Sequence, residues 1–456
     1  MILKIEALES RLAAFGRPGV VASRPPVPGA ARRIAHRRGA IAALWSSTYN
    51  KRDDDEFARH RADAKERILR MLRFLTAGES HGPELTAIVE GLPSRLPIRS
   101  ALIDEQLRRR QQGHGRGGRM RIESDRVEIT SGLRFGLTLG TPLTMRIRNR
   151  DWENWKTKMA VEGDPPPEAK PVTKPRPGHA DLAGVLKYNH DDVRNVLERS
   201  SARNTATLVA VGSVARQLLA PFGIRIFSHV VEIGGVEAKK FPKTLEQIAD
   251  AAELSTVRCA DPEAAEKMVE AIDQARREGN TLGGVFEVVA LGVPPGLGSY
   301  AHPDRRLDGR LAGALMSIQA IKGVEVGLGF TAARLPGSEV HDEIGYDPEK
   351  GYTRDTNHAG GIEGGVSNGQ PVVVRAAMKP IPTLYKPLRS VDIHSKESFQ
   401  ASVERSDTCA VPAAAVVGEA MTAWVLALCF REKFSGDSLE EVKAQYRAYM
   451  EMVSRR

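Results

Sequence analysis

From Met71 onward, short apolar or alternating stretches are broken by glycine and proline, which predicts strands at "FLTA", "LTAIVEGL", "RVEIT" and "PLTMRIRN". "IDEQLRRRQQG" has helical composition and stops at a glycine. "SARNTATLVAVGSVARQLLAPFG" predicts a longer helix, with Ser200 or Ser201 as N-cap and Gly223 near its end. Residues 242–280 predict two charged, peripheral helices. "VFEVVALGVP" then resumes as a strand, and "LAGALMSIQAIKGVEVG" reads as a helix running into a turn. Strands and helices mix without a repeating strand–helix–strand rhythm, so the predicted class is α+β.

The longest apolar run, "VPAAAVVGEAMTAWVLALCF" (411–430), is long enough to cross a bilayer. It carries much alanine and an unpaired carboxylate, Glu419, and no second candidate span accompanies it. It therefore predicts a buried core helix, and no membrane association is expected.

The first 70 residues break the pattern. "RPGVVASRPPVPGAARRIAHRRGA" is rich in Arg, Pro and Ala, and "KRDDDEFARHRADAKERILR" is a dense charge block, so neither buries much surface. The acidic residues Asp53 to Glu56 argue against an organelle transit peptide, and no apolar core of a secretory signal is present. The expectation is that 1–70 is a disordered extension or sequence upstream of a true start at Met71, with 71–456 a single catalytic domain. This location also explains the net charge of +9. Residues 1–70 hold 15 Lys/Arg against 8 Asp/Glu, leaving 51 against 49 for the rest. A nearly neutral body with 5% aromatic residues has neither the basic face nor the stacking platforms of a nucleic-acid binder. Cys259, Cys409 and Cys429 lie far apart, which suggests neither a disulfide framework nor a metal cluster. A reducing, cytoplasmic setting is expected.

Several segments carry candidate chemistry. Gly78-Glu79-Ser80-His81-Gly82 satisfies the G-x-S-x-G pattern of a hydrolase nucleophile elbow, but Pro83 and a strand follow where the elbow needs a helix. Gly113 to Gly118 matches G-x-G-x-x-G, yet the polar "DEQLRRRQQ" precedes it instead of a hydrophobic strand. What remains is a glycine loop with Arg110, Arg116 and Arg119, either closing over an anion or lying as a solvated basic turn. "KPRPGHADLAGVLKY" sets His179 in a loop near Lys174 and Arg176. "LERSSARNTATLVAVG" brings Arg199, Ser200, Ser201 and Arg203 to a predicted helix start, where backbone N–H groups favour phosphate. "NHAGGIEGGVSNGQP" is dense enough in glycine for backbone to lie against a flat ligand. Arg405 and Asp407 precede the apolar helix, either paired with each other or poised for acid/base work.

Taken together, "GESHG", "RRRQQGHGRGGRM", "RPGHADLAG", "LERSSARNTA", "LDGRLAGALMSIQAIKG", "HAGGIEGGVSNGQP", "KPIPT" and "ERSDTCAVPAAAVVGEA" closely resemble the chorismate synthase family, in the family's order across 71–456. Asn204 departs from the pattern, standing where the family has an acidic residue. The resemblance implies a β-α-β sandwich, a homotetramer, and a 1,4-anti elimination of phosphate that needs reduced FMN (FMNH2) without net redox. It implies His81 as the acid for the departing phosphate, with Ser80 as its hydrogen-bonding neighbour. His179 would face the reduced flavin, and Asp407 would help move the C6 proton by way of flavin N5. Substrate anions would meet Arg110, Arg116, Arg176, Arg203 and Arg405. The FMN contacts implied are Arg199, Ser200, Ser201, Gln319, Ala320, Gly364, Lys379, Pro380, Ile381, Pro382, Thr383 and Arg405. Arg110 and Arg116 are also the family positions linked to NADPH. No metal is implied.

Overall fold

The structure is a computed structural model that describes residues 72–117, 124–167, 169–349, 351–401 and 407–456. They fall within the unit Arg70–Arg456. The N-terminal extension, Arg119 and Arg405 lie outside the described residues.

The first sheet contains β1 (Arg73–Ala77), β2 (Glu84–Glu90), β3 (Val127–Ser131) and β4 (Leu143–Arg148), hydrogen-bonded in the order β1-β2-β4-β3 and antiparallel throughout. Alternation fixes which face is buried. Leu85, Ala87 and Val89 of β2 and Leu143, Met145 and Ile147 of β4 are buried, and the residues between them are not. A second antiparallel sheet contains β5 (Arg225–Ile233), β6 (Val236–Glu237), β7 (Gly284–Leu291), β8 (Ile321–Val326) and β9 (Val372–Met378), in the order β8-β9-β7-β5-β6.

The α-helices longer than one turn, in chain order, are α1 (Ser100–Gln111), α2 (Asp181–Tyr188), α3 (Arg194–Ser200), α4 (Thr205–Leu219), α5 (Leu245–Leu254), α6 (Pro262–Arg277), α7 (Leu307–Met316), α8 (Val411–Lys433) and α9 (Leu439–Ser454). α4 packs on β1, β2 and β4 of the first sheet and on α8, while α8 packs on β5, β7 and β9 of the second. The α4–α8 approach is close: a Cβ on Gly212 would come 2.4 Å from Ala420 Cα. α8 is apolar around its whole circumference because it is enclosed on all sides, as a core helix is.

The apolar run at 411–430 is thus the core helix the sequence predicted, but Glu419 is not unpaired. It takes hydrogen bonds from Arg109 Nη1 and Nη2 at 2.8 and 3.0 Å, Arg216 Nη1 at 2.7 Å, Arg258 Nη2 at 3.1 Å and Ser228 Oγ at 2.7 Å. Burial alone would raise its pKa, but the three guanidinium groups hold the carboxyl well below its usual range. A second stretch, Arg194–Phe222, also has the length and composition of a span; it is mostly buried and breaks at Ser201.

That break corrects another expectation. Residues 194–200 are already helical, and Ser201 turns the chain out with ψ 141°. Its side chain accepts from Arg203 N, capping one 3-10 turn before α4 begins at Thr205. The segment "IKGVEV" is likewise not a turn but strand β8, paired with β9. Its period-two alternation and valines won over the helical composition just before it, and the chain reverses at Ala320 with φ 68°.

Candidate active site

The loop between β1 and β2 carries Ser80 and His81, and β2 begins at Glu84. No helix follows Ser80, so the nucleophile elbow is absent. Instead the loop is fastened to α3. Ser80 N donates to Glu198 O at 3.0 Å, and Ser80 Oγ donates to Glu198 Oε2 at 2.8 Å. The His81 backbone N–H reaches the same oxygen at 2.9 Å, and His81 Nδ1 lies 2.9 and 3.0 Å from Oε2 and Oε1. The opposite side of the matter is the indole of Trp155, stacked on the imidazole with centroids 3.9 Å apart and planes 25° apart.

Next to this loop lies a buried cluster of charge. Arg110 Nη2 donates to Asp125 Oδ2 at 2.7 Å, and Arg203 Nη1 donates to both Asp125 oxygens at 2.6 and 2.7 Å. Arg203 Nε donates to Asn149 Oδ1 at 3.0 Å, and Asn149 Nδ2 donates to the carbonyls of Glu79 and Gly82, so the cluster is tied to the Ser80 loop. Burial lowers the Arg110 pKa; Asp125 opposes this, while the charges of Arg203 and Arg116 add to the lowering. Arg110 Nε is buried without a partner among the described residues. Arg116 Nη1 meets Asp407 Oδ2 at 2.6 Å, and Gly117 N donates to Asp407 Oδ1 at 2.6 Å. Arg110 and Arg116 are therefore no solvated turn, and Asp407 pairs with Arg116. Arg110, Arg203 and Arg116 thus converge with Asp125 and Asp407 in a place largely shut from water. That arrangement suits an anion.

A third group lies around His179. Its Nδ1 hydrogen-bonds Asp181 Oδ1, and Arg176 forks onto the same carboxylate through Nε at 2.8 Å and Nη2 at 3.1 Å. Asp181 is fully buried; burial would raise its pKa, but the His179 and Arg176 hydrogen bonds hold it well below the usual range. Lys379 Nζ donates to Gly178 O, Lys379 N donates to Ala320 O at 2.9 Å, and Thr281 Oγ1 donates to Ile381 O at 2.7 Å. Leu282 N donates to Thr408 O at 2.9 Å and Thr408 N donates to Gly115 O at 2.8 Å, so this group continues into the Arg116–Asp407 pair. Gln319 Oε1, beside Ala320, is buried and has no partner among the described residues.

Not every predicted residue joins these contacts. Arg199 clamps the end of β1, donating to Thr76 O, Thr76 Oγ1 and Gly78 O, and also to Asn204 Oδ1 at 3.1 Å. Ser200 Oγ donates back to Leu197 O. Gly364 accepts from Arg306 at 3.2 Å. The glycine loop around it is partly self-serving, because a Cβ on Gly360 would lie 2.5 Å from Gly327 N and one on Gly361 2.5 Å from Pro371 O. Clefts of about 370 Å³ beside β3 and about 580 Å³ beside α4 and β5 contain none of the predicted residues. The site is defined by converging charge and lies apart from these two clefts. Sequence reasoning missed Asp125, Asn149, Trp155, Asp181 and Glu198. Two of these were in view, Asp181 in "GHAD" and Glu198 in "LERSS".

The family model described as chorismate synthase matches residues 72–430. The chorismate synthase of Desulforudis audaxviator is 61% identical over 387 residues, covering 84% of this chain and 98% of that protein. The one from Aquifex aeolicus is 58% identical over 393 residues, covering 84% and 99%. A crystal structure of chorismate synthase superposes with a TM-score of 0.69 at 48% identity, over 85% of this chain and 100% of that one. With a match running through both sheets, the charge cluster and most of the core helix, the chain belongs to the chorismate synthase family of lyases.

Proposed function

We propose that this chain catalyses the 1,4-anti elimination of phosphate from 5-enolpyruvylshikimate 3-phosphate to give chorismate, the last common step of the shikimate pathway to the aromatic amino acids. The observation that carries this reading is the convergence of Arg110, Arg203 and Arg116 on Asp125 and Asp407. The substrate brings one phosphate and two carboxylates, and each charge-assisted bond to arginine is worth about 1.5–3 kcal/mol. Arg110, Arg116 and Arg203 are placed to make such bonds. Arg176 is committed to Asp181 in this conformation and reaches substrate only by re-partnering. Arg405 enters by family position alone.

In the elimination, His81 delivers a proton to the departing phosphate. Asp407, held by Arg116 and Gly117 N, takes part in moving the proton lost from C6. Ser80 supports His81 as a hydrogen-bonding neighbour and not as a nucleophile.

The group around Gly178 and Lys379 fits a flavin. Gln319 Oε1 is a buried acceptor that lacks a donor among the described residues, and the Lys379 ammonium is held at Gly178 O. Gln319, Ala320, Lys379, Pro380, Ile381, Pro382 and Thr383 would hold the ring system, with His179 stabilising charge from the Gly178 side. Arg199, Ser200, Ser201 and Gly364 enter on family position. Reduced FMN held by these residues would supply electron density for the elimination. NADPH would be the reductant if the chain reduces its own flavin.

The layer order of sheet, helices and sheet supports the β-α-β sandwich. Ile344, Tyr346 and Tyr352, exposed on the antiparallel pair Ile344–Asp347 and Gly351–Arg354, support burial of that hairpin in a homotetramer. We place 71–456 as the catalytic domain in the cytoplasm and 1–70 as a dispensable extension, so deleting 1–70 should leave turnover intact. The deciding experiment is phosphate release from the enolpyruvyl substrate under anaerobic conditions. Reduced FMN should support it and oxidised FMN should not; equal turnover with both would overturn the flavin assignment.

A further inference from the structure

Both ring nitrogens of a histidine that gives up a proton cannot be left to chance, because the neutral ring has two tautomers and only one leaves a given nitrogen open. Around His81 the choice is made by a residue to which no role has been given. Glu198 is 1% exposed and receives Ser80 Oγ, the His81 backbone N–H and His81 Nδ1, and Arg194 Nη1 approaches its other oxygen at 3.3 Å. Burial would raise the Glu198 pKa, but the hydrogen bonds from His81 and Ser80 hold it below its usual value, so the carboxylate is ionised and can only accept. The nitrogen facing an obligate acceptor must carry the hydrogen.

The second restraint is Trp155. Its indole covers one face of the imidazole, and the indole is itself pinned by Nε1 donating to Asp151 Oδ2 at 2.9 Å. Arg194 lies over the same indole, with Cζ 5.1 Å from the ring centroid. Edge and face are therefore both fixed by groups that are themselves fixed, which is how a positioned acid gains over a freely rotating one.

We propose that Glu198 is the positioning residue for His81: it binds the Nδ1 proton in every protonation state, so that the single exchangeable proton sits on Nε2 and is the one delivered to the leaving group. The delivery step rests on the lyase reading above; the tautomer does not. In the elimination, the Nε2–H bond breaks as the phosphate oxygen gains the proton, the C–O bond electrons leave with phosphate, and the ring is left neutral with Nδ1–H still on Glu198.

The test pairs a spectroscopic readout with kinetics. Long-range proton–nitrogen correlation spectra of the full chain, with histidine ring nitrogens labelled and His81 assigned by comparison with His81→Ala, report which nitrogen is protonated. In the wild type the neutral ring should show Nδ1 protonated and Nε2 bare. In Glu198→Gln, the side-chain oxygen kept by Ser80 Oγ and His81 N stays near Nδ1 while an amide NH2 replaces the oxygen 3.0 Å from it, so Nδ1 no longer faces acceptors alone and the Nδ1–H share of the neutral ring should fall. Turnover by Glu198→Gln should fall at least about 10-fold and at most by the roughly 10²–10⁴ that a positioned acid contributes, with KM changed less than threefold. Glu198→Asp should recover part of the Nδ1–H signal and part of the rate. An Nε2–H tautomer in the wild type, or an unchanged tautomer and kcat in Glu198→Gln, overturns the proposal. If instead the tautomers behave as stated but no phosphate is released with reduced FMN, the lyase reading fails and the positioning role stands.

Discussion

Arg203 grips Asp125 with two hydrogen bonds from one nitrogen, at 2.6 and 2.7 Å, while Arg110 takes the same carboxylate from another side at 2.7 Å. All three side chains are under a tenth exposed. One carboxylate thus sits between two guanidinium groups, and removing it would leave those two buried cations opposed. Breaking a buried pair of this kind costs about 3–5 kcal/mol. Asp125→Ala should lower the urea midpoint by a matching amount, and inorganic phosphate should recover part of the loss by supplying the missing anion. A midpoint unchanged in both conditions would show that Asp125 does not organise the cluster.

His81→Ala and Asp407→Ala should each reduce turnover by about 10²–10⁴, the range for a positioned proton donor or acceptor. Ser80→Ala should cost much less, because Ser80 Oγ serves to hold Glu198 and lies 3.2 Å from His81 Nδ1 as a supporting neighbour. Steady-state phosphate release with reduced FMN measures all three. Complete loss in Ser80→Ala with His81→Ala near normal would reinstate serine as the reacting group.

What the sequence made legible follows a physical divide. The arginines proposed to meet an anion stand out in "RRRQQGHGRGG" and "LERSSARN" because charged residues that recur beside glycines or at a predicted helix start are conspicuous. The α+β class and the core helix were legible because alternation and continuous apolarity are local signals. The partners of those charges were not. Asp125 lies 78 residues from Arg203, Glu198 117 from His81 and Asp407 290 from Gly117, and no local pattern encodes such pairings. Glu419 is the sharpest case: alone in an apolar run it looked unpaired, because its partners Arg109, Arg216 and Arg258 come from three distant segments. Strand β8 was misread because it follows α7 after only a short reversal at Ala320.

Glu419 and its neighbour Glu253 also set an acid limit on stability. For Glu253 burial acts upward, but the Arg109 hydrogen bonds and the Arg258 charge prevail and take it from the usual 4.5 to about 2. Both groups have folded-state pKa values below their unfolded ones. Their contribution is therefore present above pH 4.5 and is lost as pH falls through the folded values. Thermal midpoints should hold from neutral pH to about 5 and decline steeply below about 4. Glu419→Gln should lower the midpoint at pH 7 and flatten that decline; a parallel curve displaced without flattening would place the acid sensitivity elsewhere.

The three cysteines should be inert in the folded chain. Cys259, Cys409 and Cys429 are 2%, 0% and 1% exposed, and burial pushes each thiol up to about 11. The nucleophile is the thiolate, which for such a group makes up about one part in a thousand at pH 8 even before access is considered. Cys409 is the most telling of the three because it lies two residues from Asp407 and packs against Gly115, so any reagent that reached it would disturb the Arg116–Asp407 pair. Native protein treated with iodoacetamide at pH 8 should keep full activity and gain no label by mass spectrometry at these positions, whereas protein in urea should label at all three. Rapid labelling of Cys409 in the native state, with loss of turnover, would mean that the segment carrying Asp407 opens on the timescale of the reaction and is not held closed by its contacts with Gly115 and Leu282.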